Sequence, residues 1–322
     1  MTADFIDHND YCGPLNLYNF PYIECGTDLH FLSNVQDKHN TYLVNSNWHV
    51  TVPDGYDTYI IVALGESLHT DLLNVQGRKI VILSENTIEM PQLPDTHYFR
   101  MEHLHWYTNT NSYCGEFFKK MDRKPLANRQ YLFGCLNQRP DNHKEVIINS
   151  LLQKWHDQLQ YTWVGKPENP NFIQKYNIPK KVISGHQWNV NNNILNDSRL
   201  IWVTESMFDS CDNMPTAYLS EKTIKAIVTK SMFIICGQRL SYKRLRDCGF
   251  ETFESHFNID WDNEWDDVRM SNLLNLIETF DYSLDRQDLV DYNYNHFYND
   301  FFKQTDAKNS LVKEEILEVI NG

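Results

Sequence analysis

Four consecutive polar residues, Ser220, Glu221, Lys222 and Thr223, stand directly before an amphipathic run and the apolar segment Met232 to Cys236, which Gly237 closes. Serine is a preferred helix N-cap, and a helix N-terminus offers backbone N–H groups and a positive dipole end to an anion. The Lys222 ammonium adds a cation, and the Glu221 carboxylate can accept hydrogen bonds from ribose hydroxyls. Together they make a cradle for a nucleotide diphosphate. A plain cap, with Glu221 compensating the dipole, uses the same residues. Two further strand ends carry polar groups. Glu205 and Ser206 follow the apolar run Ile201 to Thr204. The carboxyl ends of buried parallel strands are where open α/β sheets bind ligands, although strand ends are often polar without that role. Arg139 follows Tyr131 to Leu136 and precedes a helical stretch, a position for gripping phosphate bidentately or for a solvated loop arginine.

Other spacings suggest other chemistry. Asp260 and Asp262 have the Asp-x-Asp form that shares a hard divalent cation between carboxylates. The same acids precede a helical run, where they compensate its dipole. His103 and His105, with His97 upstream, place two imidazoles on one strand face, without a clear further ligand. Aromatic runs from Tyr98 to Tyr107 and from Tyr292 to Phe302 suit stacking against sugars or bases, and equally core packing.

These groups need elements to hold them. Thr58 to Leu64 and Lys79 to Ser84 are near-continuous apolar strands, with Thr41 to Val44 before them, and a crossover fits between Glu66 and Val75. Such strands are buried on both faces, as in a parallel sheet. A basic, proline-containing stretch from Lys119 to Ala127 marks a boundary, giving domains of 1–127 and 128–322. Beyond it the spacing predicts strands at 129–136, 161–165, 199–204 and 232–235. Helices are predicted at 142–156, 221–229 and 240–248, and the periodicity is helical from 264 onward. This is the cadence of an α/β protein.

The chain has 322 residues and a net charge of −14, which argues against a surface that coats nucleic acid. The compact basic cluster of Lys119, Lys120, Arg123 and Lys124 is the one candidate for a local track. Seven cysteines with no C-x-x-C pair, several inside apolar runs, indicate a reducing compartment. The first residues lack a basic n-region and an apolar h-region, and no run approaches the ~20 apolar residues of a membrane span. The expectation is a soluble, cytoplasmic protein.

The segments around Arg139, Glu205 and Lys222 together resemble nucleotide-sugar glycosyltransferases of the fucosyltransferase-like kind, over roughly residues 130–260. Thr204, Glu205 and Ser206 stand where that family has Glu-Asn-Ser, and Ser220 to Thr223 where it has Thr-Glu-Lys; the Asn is missing and Ser replaces Thr. The Leu-Asn-Gln-Arg-Pro run at Leu136 to Pro140, followed by His143 and Lys144, is similar to viral and bacterial relatives. The resemblance implies a GT-B architecture, two Rossmann-like domains facing a cleft, and inverting transfer of a hexosyl or pentosyl group from a nucleotide-diphosphate sugar without a metal or other cofactor. It implies donor binding by Arg139, Glu205, Ser206, Glu221, Lys222 and Thr223. Inverting transfer needs a base for the acceptor hydroxyl. The family places that carboxylate in its N-terminal domain, where Glu85 and then Glu66 follow strong strands here, with no motif match to carry either over. A glycan or a hydroxymethylated base in viral DNA fits as acceptor. The competing readings are a metal-dependent GT-A-type transferase using Asp260 and Asp262, and a non-catalytic carbohydrate-binding or structural protein.

Overall fold

The computed structural model describes residues 13–14, 30–45, 52–64, 70–84, 93–101, 122–137, 141–163, 175–181, 192–210 and 217–322. The chain divides into two compact units, Met1–Ser112 with Lys303–Gly322, and Tyr113–Phe302. The sequence boundary at 127/128 leaves the C-terminal helix with the second domain. In the structure that helix, Phe302–Asn321, returns from Lys303 onward to the first unit.

In the first unit the strands are β1 (Gly13–Pro14), β2 (Thr41–Asn45), β3 (Thr58–Leu64), β4 (Arg78–Ser84) and β5 (Thr96–Met101). They lie in the order β1-β2-β3-β4-β5, with β2 to β5 parallel and β1 antiparallel at the edge. Side chains alternate between faces along each strand, and both faces are apolar. Leu43, Ile60, Val62, Ile80, Ile82 and Met101 pack on one face with Leu32 and Ile316 of the C-terminal helix. Tyr42, Val44, Tyr59, Ile61, Val81 and Leu83 pack on the other with Leu72 and Leu73. The latter two belong to a short 3-10 turn, Thr70–Asn74, in the expected crossover. Tyr98 and Phe99, from the first aromatic run, lie in β5 and pack against opposite faces of this sheet. Arg78 Nη1 donates to the Val319 carbonyl at 2.7 Å, where the C-terminal helix leaves its last carbonyls without helical partners.

The second unit contains β6 (Tyr131–Leu136), α1 (Asn142–Trp155), β7 (Leu159–Thr162), α2 (Asn192–Asp197), β8 (Ser198–Thr204), α3 (Glu221–Val228), β9 (Met232–Cys236), α4 (Ser241–Asp247), α5 (Glu254–Phe257), α6 (Asp266–Thr279) and α7 (Gln287–His296). Among the described residues its four strands are all parallel, in the order β7-β6-β8-β9. The chain runs outward from β6 to β7 and then returns across β6 to β8. Strand order therefore reverses between β6 and β8. At the amino ends of the strands, the buried Arg129 guanidinium donates to the carbonyls of Leu195, Ser198, Thr229 and Lys230 and to Ser231 Oγ. It holds that edge together, and burial lowers it to about 10. Among the described residues no helix is long and apolar enough to cross a membrane. The fold is α/β, built from two Rossmann-like units.

Candidate active site

A doubly wound sheet opens at its carboxyl edge where strand order reverses, because the flanking connections leave on opposite faces. Here that point lies between the ends of β6 and β8. Thr204 Oγ1 donates across it to Asn137 Oδ1 at 2.6 Å, and Thr162 Oγ1 at the end of β7 accepts from the Asn137 backbone N–H at 2.8 Å. Three strand ends are thereby fixed to one another.

Immediately beyond Thr204, the Glu205 side chain is fully buried. Its Oε2 accepts from the Ser220 backbone N–H at 3.0 Å and its Oε1 from the Thr223 hydroxyl at 2.5 Å. The carboxylate thus faces the start of α3, where a negative group is stabilised by both the donors and the dipole. Gly237 allows this approach: a Cβ there would lie 3.1 Å from Glu205 Cγ and 3.1 Å from Ser241 Oγ. Ser220 caps α3 as its type predicts, its Oγ accepting from the Lys222 N–H at 3.3 Å. The Lys222 ammonium lies 3.1 Å from Ser206 Oγ, 3.2 Å from Ser220 Oγ and 3.4 Å from Glu221 Oε1. Lys225, one turn on, stands 3.9 Å from the same Glu221 oxygen. The corner therefore has a buried anion beneath the helix start and a half-buried ammonium on its outer side.

His143, in the first turn of α1, supports this corner from below. Its Nε2 lies 2.9 Å from the Glu205 carbonyl oxygen and its ring stacks on Phe208. Burial, and secondarily the Lys144 ammonium, lowers its pKa to about 4. The ring is neutral near pH 7, donating at Nε2 and holding its lone pair at Nδ1. Arg269 of α6 completes the frame. It donates to the carbonyls of Phe208, beyond β8, and Gly237, beyond β9, and pairs with Asp266 at 2.9 Å. Its guanidinium lies 4.6 Å from the Phe208 ring centroid. Desolvation lowers its pKa, the Asp266 charge opposing that. Gln238 Oε1 accepts from the Tyr218 N–H, and its Nε2 donates to the Asp209 carbonyl.

Of the residues singled out in the sequence, Glu205, Ser206, Ser220, Glu221, Lys222 and Thr223 converge on one corner. Arg139, Glu66 and Glu85 lie outside the described residues, as do His103, His105, Lys119 and Lys120. The Asp-x-Asp pair does not form a paired site. Asp262 is buried, and its two oxygens accept the N–H groups of Tyr242 and Lys243 at the start of α4, while Asp260 is exposed. Burial raises the Asp262 carboxyl, with the two backbone bonds opposing it. Among the described residues no group of three or more His, Cys, Asp or Glu side chains is placed to hold a metal. Arg123 donates to the Val228 carbonyl and lies over Tyr294, and Lys124 pairs with Asp197, so half of the basic cluster is spent within the fold. Asn137 and His143 stood in the Leu-Asn-Gln-Arg-Pro and His-Lys run without an assigned role. Arg269 carried no signal, since the two carbonyls it bridges, of Phe208 and Gly237, come from distant loops.

No family model and no curated protein matches the chain. Among solved structures, one titled "Crystal Structure of alpha1,3-Fucosyltransferase" is similar at 12% identity and a TM-score of 0.40, over 82% of this chain and 78% of that one. Fold and site together define a Rossmann-like α/β protein with a polar corner at the switch point of its second sheet.

Proposed function

We propose that the chain is a glycosyltransferase that binds a nucleotide-diphosphate sugar at the carboxyl edge of the second sheet and passes the sugar to an acceptor hydroxyl. One observation carries this reading: the Lys222 ammonium, steadied by Ser206 and Ser220, sits at the capped start of α3 beside the switch point. An ammonium beside a helix N-terminus favours charge that builds on a departing diphosphate, and so lowers the barrier for its departure. Arg139 reaches the same phosphates in this reading, and Glu221 takes the ribose hydroxyls. Glu205 and Thr223 act one layer below, by fixing the corner. Transfer is inverting and needs no metal, with Glu85, or else Glu66, removing the acceptor proton.

The acceptor reading favours a glycan over hydroxymethylated DNA, because Arg123 and Lys124 spend their charge on internal partners. The protein works in the cytoplasm. Calorimetric titration with GDP, UDP, CDP and ADP tests the donor site. At least one is expected to bind, and Lys222→Ala to lose most of that affinity. Absence of binding by all four overturns the proposal.

A further inference from the structure

The carboxyl edge of the second sheet carries an exposed feature that a diphosphate cradle does not use. Trp265, at the N-cap of α6, is 46% exposed, and Val268 beside it is exposed as well. The Arg239 guanidinium lies 4.9 Å from the Trp265 ring centroid. Arg239 follows Gly237 just past β9. The backbone then turns at Leu240 through a left-handed conformation, φ 67°, which an L side chain rarely adopts. The two residues are tied into the loops that build the corner. Arg239 N–H donates to Ser210 Oγ at 2.9 Å, and Ser210 N–H donates to Asp266 Oδ2 at 3.0 Å. Ser206, which accepts from Lys222, is four residues before Ser210 in the same loop. One loop beyond β8 therefore holds both the Lys222 ammonium, through Ser206, and the Arg239 backbone, through Ser210, on the same carboxyl edge of the sheet.

We propose that Trp265 and Arg239 form the stacking platform for the nucleobase of the donor, an inference that rests on the donor reading above. Charge decides what the platform takes. Glu264, Asp266 and Asp267 flank it, which disfavours a second phosphate and tolerates a neutral planar ring. An indole with a guanidinium on its ring offers flat surface to any base, since every base has a π-face. The platform therefore fixes the plane of the base and not its identity.

Trp265 is outside the core, so its replacement leaves the fold intact. Wild type, Trp265→Ala, Trp265→Phe and Lys222→Ala are titrated with the four nucleoside diphosphates and with inorganic pyrophosphate. Trp265→Ala is expected to weaken the nucleoside diphosphate about tenfold, the scale of one base–aromatic stack, and to leave pyrophosphate unchanged. Trp265→Phe keeps most of the affinity, and Lys222→Ala weakens both ligands. Unchanged nucleoside diphosphate affinity in Trp265→Ala, or an equal loss for pyrophosphate, overturns the platform while leaving the donor site standing. If wild type binds no nucleoside diphosphate, the donor reading falls and the platform with it.

Discussion

Glu205 carries two opposed expectations, and its hydrogen bonds separate them. A carboxylate that contacts a ligand must present an oxygen to it. Both oxygens of Glu205 instead accept from the α3 corner, out of reach of water. Glu205→Gln places an amide donor against one of two donors, leaving a buried pair unsatisfied. The expected cost is about 1–3 kcal/mol, read as a lower midpoint in urea unfolding. Unchanged stability would show the carboxylate to be free for a ligand after all. Ser220 was legible at this scale because N-caps are local chemistry. Glu205's partner Thr223 is 18 residues away, a distance no local pattern bridges.

At the scale of elements, β8, α3 and β9 were legible to within a residue or two. Their buried apolar runs are bounded by a cap and a glycine, which are local signals. The strand β5 was read only as an aromatic run, since Thr, His and Arg interrupt its apolar residues. What aligns the loops is α6, through Arg269. Arg269→Ala leaves the Phe208 and Gly237 carbonyls without that donor and Asp266 without its buried partner. We expect a loss of about 3 kcal/mol, and faster amide hydrogen exchange across residues 205–210 and 237–240. Arg269→Lys should not rescue it, because a single ammonium cannot reproduce the fork that serves both carbonyls. Protection of those loops equal to wild type would remove Arg269 from this role.

On the scale of the whole molecule, each unit has its own sheet, and the chain's end is shared out unexpectedly. The C-terminal helix lies in the stretch from 264 onward that the sequence marks only by its helical periodicity. It places Ile316 in the core of the first unit, and Val312, Leu317 and Ile320 pack against that core. Ile316→Ala should cost about 2–4 kcal/mol, because a filled site beneath the sheet becomes a cavity. Near-ultraviolet circular dichroism during unfolding tests this. A midpoint equal to that of wild type would mean that the helix does not support the sheet.

The α/β class, the parallel strands and the capped corner at Ser220 to Thr223 are readable from the residues alone. Each depends on periodicity or on neighbours a few residues apart. Tertiary structure alone decided that Glu205 faces inward to the corner and that Lys222 lies against Ser206. It also decided that Asp262 caps α4 rather than pairing with Asp260, and that Trp265 is left exposed beside Arg239. The reason is physical. A side chain's type fixes which bonds it can make, but burial and the approach of distant backbone fix which of them it does make.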